Sequence, residues 1–434
     1  MCASSFRVWI VTLSVVLSAC PMAVWSADVP DRGIGDFPKL SAERDWPWWR
    51  GPSRNGIAVA ATAPTKFSDT DNVVWKSPVP GRGHSSPIVV GDQVILSTAS
   101  ISPQVQSVLA FDRKSGRQLW KTDLSEGGFP KQNHVKNTES TPTVACDGER
   151  LFATCFHHES VQCTALDLSG KKLWQKTVGP FNPRKFQYGY APSPTLYRGS
   201  VIVSAEYDGE SAITALDRQT GKQLWRTKRP SGITFSTPVV AHVAGKDQLL
   251  ISGSEQVASY DPSNGKPLWS TPGTTGATCG TMVWDGDVVI ASGGYPKAET
   301  IAIKADSGKV LWRNSQKCYE QSMLAHNGYV YALDDRGILF CWQASNGTEM
   351  WKERLFTGPT SSSPVLVGGN IYWPNERGLW HVFKPNPQKY ESVGINQLGD
   401  EGFASPAVVG GQLFVRTASL SGGKRQEWLY CLGK

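Results

Sequence analysis

The sequence predicts an all-β protein built from repeated units of four strands, and three observations support this prediction. A hairpin phrase that ends in tryptophan recurs along the chain, a Ser/Thr-Pro phrase precedes most copies, and the two chain ends supply complementary parts of one unit. Four strands at a period of about 40–50 residues are the signature of a propeller. We therefore expect an eight-bladed β-propeller of four-stranded antiparallel blades, with the ring closed by the N-terminal strand.

The recurring hairpin phrase has a turn of fixed chemistry. An Asp followed by a Ser, Thr or Asn and then a Gly separates two apolar runs. Asp accepts bonds from the backbone amides that follow it and Gly supplies a positive φ, so the phrase predicts a hairpin turn. Two looser copies end at Trp312 and Trp351, with Lys304 and Gln343 at the Asp position. The clear copies are LAFDRKSGRQLW at 109–120, ALDLSGKKLW at 165–174, ALDRQTGKQLW at 215–225 and SYDPSNGKPLW at 259–269.

A second phrase, Ser/Thr-Pro followed by an apolar run and a turn with Gly, is expected to open each unit. Another β-rich run follows it, such as VILS at 94–97, so each unit holds four strands. Degenerate copies start near Gly280 and Ser322. The clear copies start at Ser86, Thr141, Ser193, Thr237, Ser363 and Ser405.

The chain ends predict closure of the ring. Trp75, in VVWK at 73–76, belongs to a fourth strand without three strands before it, whereas the residues from Ser405 to Leu432 form three strands without a fourth. Pairing the two ends completes a blade and removes exposed strand edges. The seventh unit is the poorest copy, and its tryptophan position is expected near 390–392.

The recurring tryptophans are interpreted as structural. A residue that occurs once in nearly every blade cannot form a single site, and a buried indole offers a large apolar area together with one N–H donor. We expect these side chains to dock between adjacent blades. They are Trp75, Trp120, Trp174, Trp225, Trp269, Trp312 and Trp351.

The first 27 residues resemble an export signal, with Arg7 before an apolar run at 8–17 that is too short to span a bilayer. Two processing routes stay open. Cleavage after Ser26 or Ala27 releases a soluble protein, and lipidation of Cys20 in the motif LSAC leaves a lipid anchor as the membrane contact. The predicted division is a signal peptide at 1–27, a lead-in segment at 28–72 and the propeller at 73–434.

Charge and cysteine content exclude some classes of protein. The net charge of +7 on 434 residues is small, so no nucleic-acid partner is expected. Setting aside Cys2 and Cys20 from the nine cysteines leaves an odd number, which argues against a dense disulfide framework. Cys155 and Cys163 flank a short turn. The sequence allows either a disulfide bridge between them or two buried free thiols.

Catalytic motifs are missing from the sequence. It contains no Gly-x-Ser-x-Gly, His-Glu-x-x-His or Gly-Lys-Ser/Thr motif. Asp residues at 285–287 and 334–335 fall where hairpin turns are expected. The 157–159 cluster, with Cys155 and Cys163, has metal-ligand residue types without the spacing of a closed zinc site. We therefore predict no catalytic, cofactor-binding or metal-binding residue.

The repeat resembles that of the PQQ-like (pyrroloquinoline-quinone repeat) β-propeller superfamily from Trp75 onward. The segment WPWWRGPSRNG at 46–56 is similar to one common in exported bacterial members. The enzymes of this superfamily are quinoprotein dehydrogenases, which hold the quinone with calcium over the channel and typically carry an adjacent Cys-Cys pair. This chain has no Cys-Cys pair and its blades are short. We therefore expect no cofactor. The alternative is that the chain binds PQQ together with calcium.

The chain also resembles BamB-type lipoproteins, eight-bladed non-catalytic members of the outer-membrane β-barrel assembly machinery, although the 46–56 segment departs from that family. The resemblance implies a binding scaffold that holds an envelope protein or peptide, in the periplasm or at the periplasmic face of the outer membrane. The alternatives are a PQQ-dependent quinoprotein oxidoreductase and a glycan-binding or sensor module.

Two long neighbouring loops, at 124–138 and 178–191, form the candidate partner surface. Aromatic and basic residues on exposed loops suit protein recognition, and they equally suit an anionic glycan. In a third interpretation the aromatic side chains fold back as a lid over the channel. The candidate residues are Phe129, Lys131, His134, Lys136, Phe181, Arg184, Lys185, Phe186, Tyr188 and Tyr190.

Overall fold

The computed structural model describes Met1 and residues 33–59 and 62–433. The predicted signal peptide after Met1, including Cys20, lies outside these residues. Every regular element of the described part is a β-strand, and none of it forms an apolar helix of membrane-spanning length.

Eight four-stranded antiparallel sheets form the blades of a propeller, which confirms the predicted fold. Blades 1 to 7 each follow chain order from the innermost to the outermost strand. The strands of blades 1 to 4 are β2 (Ile88–Val90), β3 (Gln93–Ser100), β4 (Val105–Asp112) and β5 (Gln118–Glu126); β6 (Ala145–Cys146), β7 (Arg150–His157), β8 (Ser160–Asp167) and β9 (Lys172–Pro180); β10 (Thr195–Tyr197), β11 (Ser200–Ala205), β12 (Ala212–Asp217) and β13 (Gln223–Lys228); and β14 (Val239–Val243), β15 (Lys246–Gly253), β16 (Gln256–Tyr260) and β17 (Pro267–Pro272).

The remaining blades include the one that joins the chain ends. Blade 8 consists of three C-terminal strands and one N-terminal strand. The strands of blades 5 to 8 are β18 (Val283–Asp285), β19 (Val288–Gly293), β20 (Glu299–Lys304) and β21 (Val310–Asn314); β22 (Leu324–His326), β23 (Tyr329–Leu333), β24 (Ile338–Gln343) and β25 (Glu349–Arg354); β26 (Val365–Val367), β27 (Asn370–Pro374), β28 (Leu379–Phe383) and β29 (Ser392–Gln397); and β30 (Ala407–Val409), β31 (Gln412–Ser421), β32 (Lys424–Leu432) and β1 (Val73–Val79).

The ring closes as predicted. Strand β1 pairs antiparallel with β32, from Val73 opposite Leu432 to Val79 opposite Glu427. The three inner strands of each blade are largely buried, whereas the outermost strand is largely exposed. The core therefore lies between neighbouring blades, and one apolar cluster, for example, joins Val283 and Ile290 of blade 5 to Val330 and Phe340 of blade 6.

The recurring tryptophans lie against the hairpin of the next blade. The indole N–H of Trp75 donates to Arg113 O at 2.8 Å, and its ring covers Gly116, where an added Cβ would lie 2.5 Å from the ring. Gly116 also has a φ of 72°, so turn and packing both require glycine here. Trp225 packs on Gly265, but its N–H has no partner among the described residues. The same N–H bond to the next blade is made by Trp120, Trp174, Trp269, Trp312 and Trp351.

The tryptophan position of blade 7 is occupied by Gly394, not by a residue in 390–392. Gly394 pairs with Val382 directly before a register shift, as Trp120 pairs with Ala110 before the corresponding shift in blade 1. A Cβ on Gly394 would lie 2.7 Å from Thr65 O of the lead-in segment. The lead-in backbone therefore occupies the space that a tryptophan would fill.

Candidate functional site

The lead-in segment closes one end of the central channel. Its residues 46–57 run past the innermost strands of several blades, starting at an antiparallel bridge between Trp46 and Val89 and ending at a parallel bridge between Ile57 and Leu366. This segment carried no predicted site, and its role depends on distant contacts. Those contacts are Cys146 N to Pro47 O (2.8 Å), Arg54 Nη2 to Leu196 O (2.8 Å), Asn55 Nδ2 to Trp284 O (2.8 Å) and Arg50 Nη2 to Met323 O (2.7 Å).

A buried arginine holds this closure in place. Arg50 is only 3% exposed, and burial lowers the pKa of its guanidinium to about 9. It donates to backbone carbonyls of two blades, Met323 O and Pro364 O. The backbone turns sharply here, with a φ of 66° at Arg50 and 70° at Gly51, where a Cβ would lie 2.6 Å from the Trp46 ring. The Arg-Gly sequence therefore fits both the turn and the contact.

A belt of hydrogen bonds joins seven of the eight pairs of neighbouring blades around the channel, at the starts of the innermost strands. In each link, a backbone N–H donates to the Ser or Thr hydroxyl that opens the next blade. In blade 2 this hydroxyl belongs to Thr143, not to Thr141, because β6 starts later than expected. At Thr281 the hydroxyl accepts a bond from Trp49 Nε1. The links are Ser86 to Thr143, Thr143 to Ser193, Ser193 to Thr237, Thr281 to Ser322, Ser322 to Ser363, Ser363 to Ser405 and Ser405 to Ser86.

Two long loops border the other end of the channel. They run from 127 to 144 and from 181 to 194, later than the predicted bounds, because β5 and β9 continue past a second β-bulge. Asn137 Nδ2 of the first loop donates to Tyr188 O of the second. A Cβ at Gly189 would clash with Asn137 Nδ2, so glycine permits this approach. We call these the 127–144 loop and the 181–194 loop.

Among the ten candidate residues, Phe181 and Tyr190 are packing residues rather than surface contacts. They are 1% and 4% exposed, and their rings meet edge to face at 5.3 Å. Tyr190 also donates its hydroxyl hydrogen to Ser204 O. An alternating aromatic and basic sequence does not reveal that these two rings turn into the core.

The other candidates lie at the loop surface. Phe186 and Tyr188 are half-buried over the channel end, where Tyr188 packs against His134 at 4.7 Å and Phe235 at 5.8 Å. The backbone amides of Arg184 and Lys185 donate to the carboxylate of Asp208, which leaves both side chains exposed. Phe129, Lys131, His158 and Glu159 line a separate groove of about 490 Å³ beside the channel.

The channel end itself holds a cavity of about 240 Å³ lined by Lys136, Glu320 and Ser361, which form a charged cluster with the adjoining Glu376. Lys136 Nζ lies 2.9 Å from Glu376 Oε1 and 3.6 Å from Glu320 Oε1. Ser361 Oγ contacts both carboxylates. The pKa of Glu320 is raised because its carboxyl is buried and lies near Glu376.

The sequence pointed to Lys136 alone among these four residues. Glu320, Ser361 and Glu376 come from three different connections, and no motif joins them. Only the closure of the ring places them together, so no signal in the chain identifies the cluster.

Aromatic rings line the rest of the cavity. His84 stacks on Phe403 at 4.3 Å between ring centroids, and Tyr188, Phe235 and Tyr319 lie around the same space. Burial, together with nearby arginines, lowers the pKa of His84 well below its ordinary value. Its Nε2 is buried and has no hydrogen-bond partner among the described residues. The cavity therefore presents aromatic walls, the neutral imidazole of His84 and a cluster of net charge −1.

The residues considered as metal ligands have other roles. Cys155 and Cys163 are buried free thiols, and Gln162 bonds to His157 Nδ1 at 3.0 Å. Asp334 accepts backbone bonds within its own turn. Within residues 33–59 and 62–433, no three His, Cys, Asp or Glu side chains converge as metal ligands.

Known proteins share both the sequence pattern and the fold. BamB of Legionella pneumophila is 29% identical over 116 residues, which cover 27% of this chain and 29% of that protein. BamB of Burkholderia pseudomallei is 24% identical over 373 residues, covering 79% of this chain and 85% of that protein. A europium-containing methanol dehydrogenase superposes with a TM-score of 0.68 at 12% identity, covering 91% of this chain and 99% of that one, which shows the fold alone.

A family model matches most of the propeller. The model described as "Outer membrane protein assembly factor BamB" aligns with residues 22–188 and 104–353, which span the lead-in segment and more than five blades. The predicted resemblance to PQQ-like propellers of the BamB type is thereby confirmed. The chain belongs to the family described as outer membrane protein assembly factor BamB.

Proposed function

We propose that this protein is a non-catalytic binding propeller of the bacterial cell envelope that acts in outer-membrane protein assembly. Its family membership and the relatives of that name support the role. On this proposal the chain is exported and works in the periplasm or at the periplasmic face of the outer membrane. Its partner is an envelope protein or an extended peptide segment of one.

The main structural support for the proposal is that the lead-in segment closes the channel at one end. The lead-in segment covers the end where its Asp45 accepts a bond from Gly91 N in the turn between β2 and β3. A partner therefore reaches the channel from the opposite end, which the 127–144 and 181–194 loops border. Exposed basic side chains and half-buried rings at this end suit a protein interface.

The chemistry of the channel supports a non-catalytic role. Pyrroloquinoline quinone carries three carboxylates and needs cationic partners, but Lys136 is already paired with Glu320 and Glu376. The Lys136 ammonium also lies between the two carboxylates that would serve as calcium ligands. The residues present therefore do not fit this quinone and its calcium ion.

A genetic experiment tests the proposed role. The gene is deleted in its own bacterium and outer-membrane β-barrel proteins are quantified. We expect their levels to fall, and the wild-type chain to restore them. Lys131→Glu and Phe186→Ala, on the loop end, should restore them poorly. Lys171→Glu, in an exposed hairpin turn of blade 2, is the matched control and should restore them fully.

Unchanged β-barrel proteins in the deletion strain would contradict the assembly role. Turnover in a dye-linked dehydrogenase assay with pyrroloquinoline quinone and calcium would contradict the non-catalytic role. A thermal shift separates lid from interface for Phe186 and Tyr188. If their alanine variants melt at lower temperature, the rings act as a lid, whereas lost function at unchanged stability supports an interface.

A further inference from the structure

The cavity at the loop end of the channel has the dimensions of one side chain. Its volume of about 240 Å³ is below the range of about 300–1,000 Å³ that holds drug-sized ligands. Trp49 and the hydroxyls of Ser86, Thr143 and Ser193 line it together with the loop residues. Such a cavity admits a long side chain or a small amine, but not a folded domain.

The charges of this cavity are unequal. Glu320 and Glu376 face one ammonium, that of Lys136, and share the Ser361 hydroxyl. Two carboxylates this close repel each other, so a second cation would stabilise the pair. The cluster therefore carries one more negative charge than positive charges.

Most charges just outside the cavity are paired. Lys317 Nζ lies 3.1 Å from Asp335 Oδ2. Arg416 and Arg425 both contact Glu427, and Arg425 also contacts Glu401 at 2.7 Å. Arg82 has no ion pair among the described residues, but it lies near His84, whereas Lys136 is the cation beside Glu320. The deficit of positive charge thus belongs to the cavity cluster.

The walls suit a cation as well. Cations are attracted to aromatic faces within about 6 Å of the ring centroid. Lys317 Nζ already lies 5.3 Å above the ring of Tyr319, at the cavity edge. His84 also lines the cavity and adds no repelling charge, because its pKa lies well below the ordinary value.

We propose that this cavity binds a basic side chain, a guanidinium or primary ammonium, presented by an extended segment of the protein partner. The identity of the partner as a protein rests on the proposed function, whereas the preference for a cation rests on the cavity alone. An anionic glycan is disfavoured, because the cationic group of the cavity, Lys136, is already neutralised.

Calorimetric titration of the purified full chain tests this inference. The probe is the peptide acetyl-Gly-Gly-Arg-Gly-Gly-amide, and its counterpart carries citrulline, which is nearly isosteric and uncharged. We expect the arginine peptide to bind about tenfold or more tightly than the citrulline peptide. Agmatine serves as the second probe. Equal affinity of agmatine and the arginine peptide would assign the site to free small amines.

Two variants move the affinity in opposite directions. Glu320→Gln removes a negative charge, so arginine-peptide affinity should fall about tenfold. Lys136→Met removes the internal competitor, so affinity should rise. The control Glu349→Gln, on the exposed outer strand of blade 6, should leave it unchanged. Thermal melts confirm that each variant is folded.

Equal binding of the arginine and citrulline peptides, or lost binding in Lys136→Met, would overturn the proposal. The result is independent of the genetic test. Peptide binding without an assembly defect in the deletion strain would support the cation site and reject the proposed function. An assembly defect without peptide binding would support the proposed function and reject the cation site.

Discussion

The indole Nε1 of Trp49 donates a 2.8 Å hydrogen bond to Oγ1 of Thr281, which lies 232 residues further along the chain. The bond joins the lead-in segment to the hydroxyl belt of the propeller. Trp49 also lines the cavity at the loop end, so it connects the closed end of the channel to the candidate site.

Replacing Trp49 by Phe should lower the free energy of unfolding by about 0.5–1.5 kcal/mol, the net contribution of one hydrogen bond. Urea denaturation measures this change. Trp428→Phe is the matched control, because it removes an indole bond to Ser419 that lies away from the cavity. Trp49→Phe should also alter peptide binding, and Trp428→Phe should not. Equal effects of both variants on binding would contradict the position assigned to Trp49.

Two docking tryptophans should respond differently to loss of their N–H. Trp269 Nε1 donates to Ala305 O at 2.8 Å and to Gln248 Oε1 at 3.0 Å, whereas Trp225 Nε1 has no partner among the described residues. Trp269→Phe should therefore destabilise the protein by about 1–3 kcal/mol through unsatisfied buried acceptors. Trp225→Phe should cost less in the same denaturation assay. The reverse order would show that ring packing, not hydrogen bonding, sets the difference.

Truncating the ring is a separate test of docking. Trp225→Ala removes the half-buried indole that covers Gly265, so it should destabilise by about 3 kcal/mol, the lower end of the range for truncating a large core side chain. Differential scanning calorimetry measures the loss. An unchanged melting temperature would reject a role between blades 3 and 4.

A fully buried ion pair should be costly to break on one side. Arg229 Nε lies 3.1 Å from Glu206 Oε2, both side chains are 0% exposed, and Arg229 also donates to the Tyr260 hydroxyl. Arg229→Met leaves a buried carboxylate unpaired, which costs about 3–5 kcal/mol. The double variant Arg229→Met/Glu206→Gln should recover part of this loss in a double-mutant cycle. Additive losses would show that the pair is not coupled.

Stability should depend on pH through His84. Burial lowers its pKa in the folded protein, whereas in the unfolded chain it is protonated below about 6.5. The unfolded state therefore binds more protons at acidic pH, and the stabilising contribution is present above about 6.5 and lost as pH falls. We expect the stability difference between wild type and His84→Gln to rise with pH up to about 6.5 and then to stay level. A level difference over the whole range would contradict this.

The sequence by itself determined the strands, the blade count and the closure of the ring. These follow from turn chemistry and a repeated phrase, which act locally and recur in nearly every blade. Phe181 and Tyr190 show the limit of that reasoning, since their loop was predicted but their burial was not. Gly394 is a second example. The backbone of the lead-in segment fills the space of the missing blade 7 tryptophan, and this contact exists only in the folded protein.

Only the tertiary structure decided the candidate site. Lys136, Glu320, Ser361 and Glu376 lie in four different connections, with Lys136 and Glu376 separated by 240 residues. Repetition makes the strands alike, whereas the site uses loop residues in which the blades differ. The charged cluster forms because ring closure brings these loops together. It lies at the open end of the channel because the lead-in segment closes the opposite end.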